Sequence, residues 1–227
     1  MTDHILDREE FSRPTCLVAF DLDHTLFKGN STACLGRYLY HKKVFTLPQI
    51  ATCIGYYLMH KWCGLSLHTL HTSLFNKFLR GFSADLLAEY IDDFLRIAFA
   101  TMPYPPAMER FDEAKKRGHH TLLLSNSPDF IVAAIAGYLG CSGYYASKYT
   151  VDDNGRLDKL EYLVEGKDKA RFLLECAEEL GISMQETTAY SDSILDLPFL
   201  NQAGRAVAVT PDRALKRIAL QNRWEII

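Results

Sequence analysis

Short apolar runs that stop at polar residues recur along the chain: CLVAFD at 16–21, HTLLLS at 120–125, ETTAYSD near 186–192 and RAVAV at 205–209. Runs this short, with little polar alternation, read as strands covered on both faces, as in a parallel sheet. The segments between them carry helical spacing and helix punctuation. PPAMERFDEAKKRG stops at Gly118, and GKDKARFLLECAEELG stops at Gly181. SPDFIVAAIAGYLG predicts a helix with Ser127 as N-cap and Pro128 at its first position, and TPDRALKRIALQNR opens on a cap, a proline and an acid. Strands alternating with helices predict an α/β fold, a Rossmann-like parallel sheet with helices on both faces. In KYTVDDNGRLDK the Asn154-Gly155 pair predicts a two-residue hairpin turn.

Residues 32 to about 98 break the alternation with helical patterns such as LHTLHTSLFNKFLRGF and ADLLAEYIDDFLRIAF. This predicts a catalytic core at 1–31 and 100–227, with an all-helical cap at 32–99 inserted after the first strand. The apolar faces of the cap helices are expected to pack on one another, the alternative being that the stretch around Tyr56, Tyr57 and Met59 faces a lipid-like substrate or a membrane surface. The expected hinges are Gly29-Asn30 and Met102 to Pro106.

Composition narrows the function classes. Hydrophobic residues make up 48% of the 227, enough for a full core, and a net charge of -3 argues against a nucleic-acid surface. The longest uncharged run, between Lys43 and Lys61, contains Pro48, Gln49 and His60 and falls short of the ~20 apolar residues of a membrane span, so no stable membrane insertion is expected. The charged start lacks the apolar segment of a signal peptide. The six cysteines form no Cys-x-x-Cys pair and read as reduced thiols of a cytoplasmic protein.

The candidate chemistry lies where the strands end. The first ends in Asp21 and Asp23, the second in Ser125, Asn126 and Ser127, and the third leads into Asp192 and Asp196; a helix between them opens with Lys167. In an open parallel sheet these positions face one crevice. Like charges ~4 Å apart repel by about 4 kcal/mol at an effective dielectric near 20. Four carboxylates therefore call for a hard divalent cation, and few carboxylates plus waters suit Mg²⁺. With a lysine and free N–H groups at a helix start, the set suits phosphoryl transfer.

DLDHT, SNS, Lys167 and SDSILDLP resemble, in order, the four motifs of the haloacid dehalogenase-like (HAD) phosphohydrolases, across about 190 residues. The helical insertion after DLDHT resembles the phosphoserine phosphatase-like branch, subfamily IB. The resemblance implies an Mg²⁺-dependent phosphomonoester hydrolase acting through an aspartyl-phosphate on Asp21. It implies Asp23 as general acid and then base, its pKa raised by crowding among the other carboxylates. Thr25, Ser125, Asn126 and Lys167 would form the phosphate site, with Thr25 steadying the loop and Lys169 the next candidate for the lysine. Asp21, Asp23 through its carbonyl, and Asp192 would hold the metal, with Asp196 acting through water or orienting the site. His24 is read as outside the chemistry.

One departure bears on substrate. Phosphoserine phosphatases carry a glutamate nine residues after the nucleophile for the substrate ammonium, and here that position is Asn30. The expected substrate is a small phosphorylated metabolite other than phosphoserine. The alternatives are a lipid-derived phosphate of the phosphatidylglycerophosphate type, transfer to an acceptor other than water, and a non-enzymatic scaffold. The scaffold reading predicts decay of a catalytic position, and none of the motifs shows it.

Overall fold

In the computed structural model, which describes residues 14–227, β1 (Leu17–Asp21) is buried along its whole length. The charged N-terminal stretch read above lies outside the described residues. β1 alternates its side chains between two apolar layers, as the period of a strand requires. Leu17 and Ala19 pack with Phe172, Leu173, Phe199 and Leu215, while Val18 and Phe20 pack on the opposite face with Phe111, Ile131 and Ile135.

The sheet has seven strands in the order β4-β3-β2-β1-β5-β6-β7. The others are β2 (His120–Pro128), β3 (Gly143–Val151), β4 (Leu157–Tyr162), β5 (Thr187–Ser191), β6 (Arg205–Ala208) and β7 (Glu225–Ile226). Every pairing is parallel except that of β3 with β4. The α/β sheet expected from the apolar runs is therefore present, with β7 and the two hairpin strands β3 and β4 added to it. The turn between β3 and β4 is longer than two residues, because Val151 pairs with Leu157. The Asp152 carboxylate holds that loop by accepting from the Asn154 and Arg156 N–H groups, and Gly155 takes a φ of 72°.

Four helices follow β1 before the alternation resumes: α1 (Ser31–His41), α2 (Leu47–Cys63), α3 (Leu67–Phe78) and α4 (Ala84–Ala98). The remaining helices are α5 (Pro105–Lys116), α6 (Asp129–Leu139), α7 (Gly166–Leu180), the short α8 (Leu197–Gln202) and α9 (Arg213–Gln221). The two caps proposed from sequence move. Pro128 still belongs to β2, so α6 begins one residue later than expected and Ser127 does not cap it. α9 is capped by Asp212, whose carboxylate accepts from Ala214 and Leu215 N–H.

The two strands of chain that join the helical insertion to the sheet run side by side. Lys28 N–H donates to the Met102 carbonyl at 2.8 Å, and Tyr104 N–H donates to Leu26 at 2.8 Å. A third tie comes from the β3–β4 hairpin. Gly81 N–H donates to the Leu157 carbonyl at 2.7 Å, Leu157 N–H to Phe82 at 3.0 Å, and Ala84 N–H to Gly155 at 2.9 Å. Sequence reading could not place this tie, since it joins residues more than seventy positions apart.

Beside it, His71 Nδ1 lies 2.8 Å from the Tyr149 hydroxyl. Burial first, then the neighbouring His60 and His68, push the His71 imidazole down to about 4. The unfolded chain therefore takes up that proton first, near pH 6.5, and stability is lost as pH falls from there towards 4. The His71 ring signals in an NMR titration are expected to move with a midpoint of about 4. A midpoint near 6.5 would show that His71 is not packed against Tyr149 in solution.

Candidate active site

The register of β1 lines up the polar strand ends. Asp21 pairs with Leu124 of β2, which puts Ser125 one step beyond, and Phe20 pairs with Tyr190 of β5, which brings Ser191 and then Asp192 alongside. After β1 the chain turns back on itself. Leu22 accepts from the N–H groups of Thr25 and Phe27, and His24 takes a left-handed φ of 63° with its side chain exposed. The reversal returns the Thr25 hydroxyl to a place 3.3 Å from both Asp21 Oδ2 and Asp192 Oδ1.

Asp21 is 6% exposed and its other oxygen, Oδ1, accepts from Lys169 Nζ at 2.7 Å. The same ammonium donates to Asp196 Oδ2 at 2.7 Å, which also accepts from the Ser191 hydroxyl at 2.7 Å. Burial raises the Asp21 carboxyl well above the usual range; Lys169 opposes this, and Asp196 and Asp192 add to it. Burial likewise raises Asp192, with His24 opposing and Asp196 adding. For Lys169, burial alone would lower the ammonium, but Asp196 and Asp21 outweigh it and hold the group above its ordinary value.

Lys169 therefore takes the place expected of Lys167. Lys167 is exposed at the start of α7 and has no partner in the cluster. The reason is helical phase: Lys169 shares the buried stripe of Phe172, Leu173 and Cys176, while Lys167 sits off that stripe. The period of α7 is visible in the sequence and is the signal that separates the two lysines. α7 can approach the Asp196 loop because it opens on Gly166; a side chain there would collide with the Leu195 carbonyl oxygen.

Asp23 stands apart from this cluster. Its Oδ1 accepts from Ser31 N–H at 2.6 Å, and its Oδ2 accepts from the Ser127 hydroxyl at 2.6 Å and from Asn30 Nδ2 at 3.2 Å. The crowding expected around Asp23 thus falls on Asp21, and Asp23 faces three donors instead. Ser127 in turn accepts from the Thr32 hydroxyl of α1 at 3.0 Å. Ser125 is fully buried and its oxygen accepts from Ser127 N–H at 3.1 Å. Asn126 enters through its backbone, its carbonyl accepting from the Ser147 hydroxyl at 2.6 Å. Sequence reading missed Ser127, Ser31 and Asn30 as partners of Asp23, Thr32 as the partner of Ser127, and Asp212, whose carboxylate accepts from Ile194 N–H at 2.8 Å and so fixes the Asp192–Asp196 loop.

Among the described residues no three acidic, histidine or cysteine side chains are gathered closely enough to form a metal site by themselves, so a cation here would also need backbone or solvent oxygen. Asp21, Asp192 and Asp196 bring three carboxylates to a largely buried site, and Lys169 is the one ammonium bonded to them among the described residues. A buried anionic excess of this kind favours a further cation, and the side-chain atoms facing it are oxygens, which suit a hard one.

The buried carboxylate cluster and its one ammonium lie at the carboxyl edge of a parallel sheet, where Rossmann-like α/β proteins bind their ligands. A haloacid dehalogenase-like hydrolase profile matches residues 18–201, and the chain belongs to that family. The phosphoserine phosphatase of Mycobacterium tuberculosis (strain H37Rv) is 28% identical over 229 residues, spanning 97% of this chain and 73% of that protein. The histidinol-phosphatase of Neisseria meningitidis serogroup C is 27% identical over 223 residues, 93% of this chain and 97% of that one. The structure of a protein of unknown function from Bordetella pertussis Tohama I shares the fold, with a TM-score of 0.83 at 22% identity over 94% of this chain and 98% of that one.

Proposed function

We propose that the chain hydrolyses small phosphomonoesters with Asp21 as nucleophile, Asp23 as acid and base, Mg²⁺ as cofactor, and residues 32–99 as a cap over the site. The observation that carries this reading is the division of labour between the two aspartates. Asp21 is held by Lys169 and Thr25 with one edge towards Asp192, while Asp23 is held separately by Ser31, Ser127 and Asn30. Two carboxylates in different surroundings can take different roles.

In the first step an Asp21 oxygen attacks phosphorus, the bond to the leaving oxygen breaks, and Asp23 gives that oxygen its proton. In the second, Asp23 takes a proton from water as the water oxygen attacks the aspartyl-phosphate, and the bond to Asp21 breaks to release phosphate. Ser127 supports both states of Asp23, because a hydroxyl can donate to the carboxylate and accept from the acid. Lys169 and Ser125 offer donors to the phosphoryl oxygens. Asp196 positions Lys169, to which it is bonded at 2.7 Å. Mg²⁺, when held by Asp21, Asp192 and the Asp23 carbonyl, would offset the negative charge gathered on the phosphoryl group. The cytoplasm suits such an enzyme, and its six cysteines are free thiols.

Hydrolysis of an aryl phosphate with Mg²⁺, and again after chelation, tests the reading. Magnesium-dependent release of phosphate is the expected result, and turnover indifferent to chelation would count against the cofactor.

The surroundings of Asn30 bear on substrate. Its Oδ1 accepts from Ala33 N–H at 2.8 Å as the N-cap of α1, and its Nδ2 donates to Asp23. Both ends of the side chain are occupied and neither carries charge. Arg80 and Arg96, two arginines of the 32–99 segment that could face a substrate carboxylate, lie beside Asp158 and Asp93 on the exposed surface. L-Phosphoserine is therefore expected to have a kcat/KM about 10–100-fold below the best member of a panel of aryl, sugar, glycerol and histidinol phosphates, the cost of an unpaired charged group. Phosphoserine at the head of that panel would overturn the substrate reading and leave the catalytic one standing.

A further inference from the structure

Helix α2 is built inside out. At ~100° per residue, Leu47, Ala51, Ile54, Leu58 and Trp62 fall on one stripe. That stripe faces solvent: Leu47 is 64% exposed, Ile54 53% and Trp62 73%. The residues turned towards the rest of the molecule are a mixed set, Gln49, Ile50, Thr52, Cys53, Tyr56 and His60, of which Ile50 packs against the core, and α2 buries none of its side chains fully. The expected packing on the other insertion helices is made by Ile50 alone among the large aliphatic residues of α2, and the stripe of Leu47, Ile54, Leu58 and Trp62 is left out of it. α1, α3 and α4 bury Leu39, Phe75, Leu87 and Ile91 in the core shared with the sheet.

The charge along the stretch of chain that carries the stripe has one sign, although Lys42 meets Asp93 of α4 at 3.9 Å. From His24 to Ala84 the chain contains no aspartate or glutamate, and its charged residues are lysines and arginines. Lys61 lies on the stripe itself, Lys42 and Lys43 are exposed just before α2, and Lys77 sits over the Tyr56 ring of α2 at 5.1 Å. No helix among the described residues is long and apolar enough to cross a membrane.

We propose that α2 docks the protein on the surface of a bilayer containing anionic lipids, lying in the plane of the interface with Leu47, Ile54, Leu58 and Trp62 turned into it. An exposed apolar stripe with a tryptophan at one end and lysines along it is the residue set that settles at a lipid–water boundary. Anionic headgroups answer the positive charge of Lys43, Lys61 and Lys77. A second copy of the chain does not, since a symmetric contact through α2 would set lysines against lysines. The apolar residues supply depth and the lysines supply the preference for acidic lipid.

Flotation of the whole chain with vesicles tests this. One vesicle set is phosphatidylcholine alone, and the other is equal parts phosphatidylcholine and phosphatidylglycerol. The protein should float with the mixed vesicles at low salt, with high salt releasing it. The pair Ile54→Glu and Leu58→Glu should cut the bound fraction at least about tenfold, while aryl phosphate hydrolysis in solution stays at the wild-type rate. Should that pair fail to fold, Lys43→Glu with Lys61→Glu, on exposed positions, should weaken binding to mixed vesicles by about tenfold. Three results would overturn the proposal: no binding to mixed vesicles, equal binding to both sets, or a dimer in sedimentation that Ile54→Glu with Leu58→Glu dissociates.

Discussion

Lys169→Ala is expected to lower kcat about 10²–10³-fold, the usual cost of removing one preorganised donor from a site of developing charge. Lys169 Nζ is bonded to Asp21 and Asp196 at 2.7 Å each, so its loss also leaves two buried carboxylates without their cation. Removing one partner of a buried pair typically costs about 3–5 kcal/mol, and the variant should unfold earlier than the parent. Excess Mg²⁺ should restore only part of the activity, because a metal does not replace a donor aimed at the phosphoryl oxygens. Lys167→Ala is the matching control. Lys167 is exposed, and its loss should leave kcat within about twofold, as surface changes generally do. Steady-state kinetics of the two variants decide the matter, and a large loss in Lys167→Ala with a normal Lys169→Ala would reverse the assignment.

Asp21→Asn is expected to bring turnover to background, since an amide oxygen does not form the aspartyl-phosphate. Asp23→Asn is expected to keep phosphate binding and lose about 10²–10⁴ in rate, the span of a general acid. The contrast follows from their surroundings. Asn at position 23 can still accept from Ser31 N–H at one oxygen, so the loop stays in place while the proton is lost. Measured phosphate affinity together with single-turnover rates separates the two effects. Near-normal turnover in Asp21→Asn would remove the nucleophile from the account.

The sheet and the acidic strand ends were legible because they rest on local rules. An apolar run that stops at Asp21, another that stops at Ser125, and a third that leads into Asp192 each announce a buried strand entering a crevice. The choice between Lys167 and Lys169 was also written in the chain, in the spacing of Phe172, Leu173 and Cys176, but it needed the phase of α7 rather than its first residues. What was not legible depends on distant partners. Ser127 reads locally as a helix cap, and only the packing of α1 against β2 shows that its hydroxyl serves Asp23. The β3 stretch GYYASKYTV has no clean alternation because it pairs in parallel with β2 along one part and antiparallel with β4 along another. α2 misled because its apolar residues have helical spacing, and spacing tells how a face is composed without telling which way it points.

The central claim is that Asp21 becomes covalently phosphorylated. The direct test is to quench a single turnover of a radiolabelled phosphomonoester in acid and map the label. The account predicts label on the peptide that carries Asp21, released by hydroxylamine as an acyl phosphate, and absent from Asp21→Asn. Product forming at the normal rate with no label on the protein, or with the label on another residue, would contradict it.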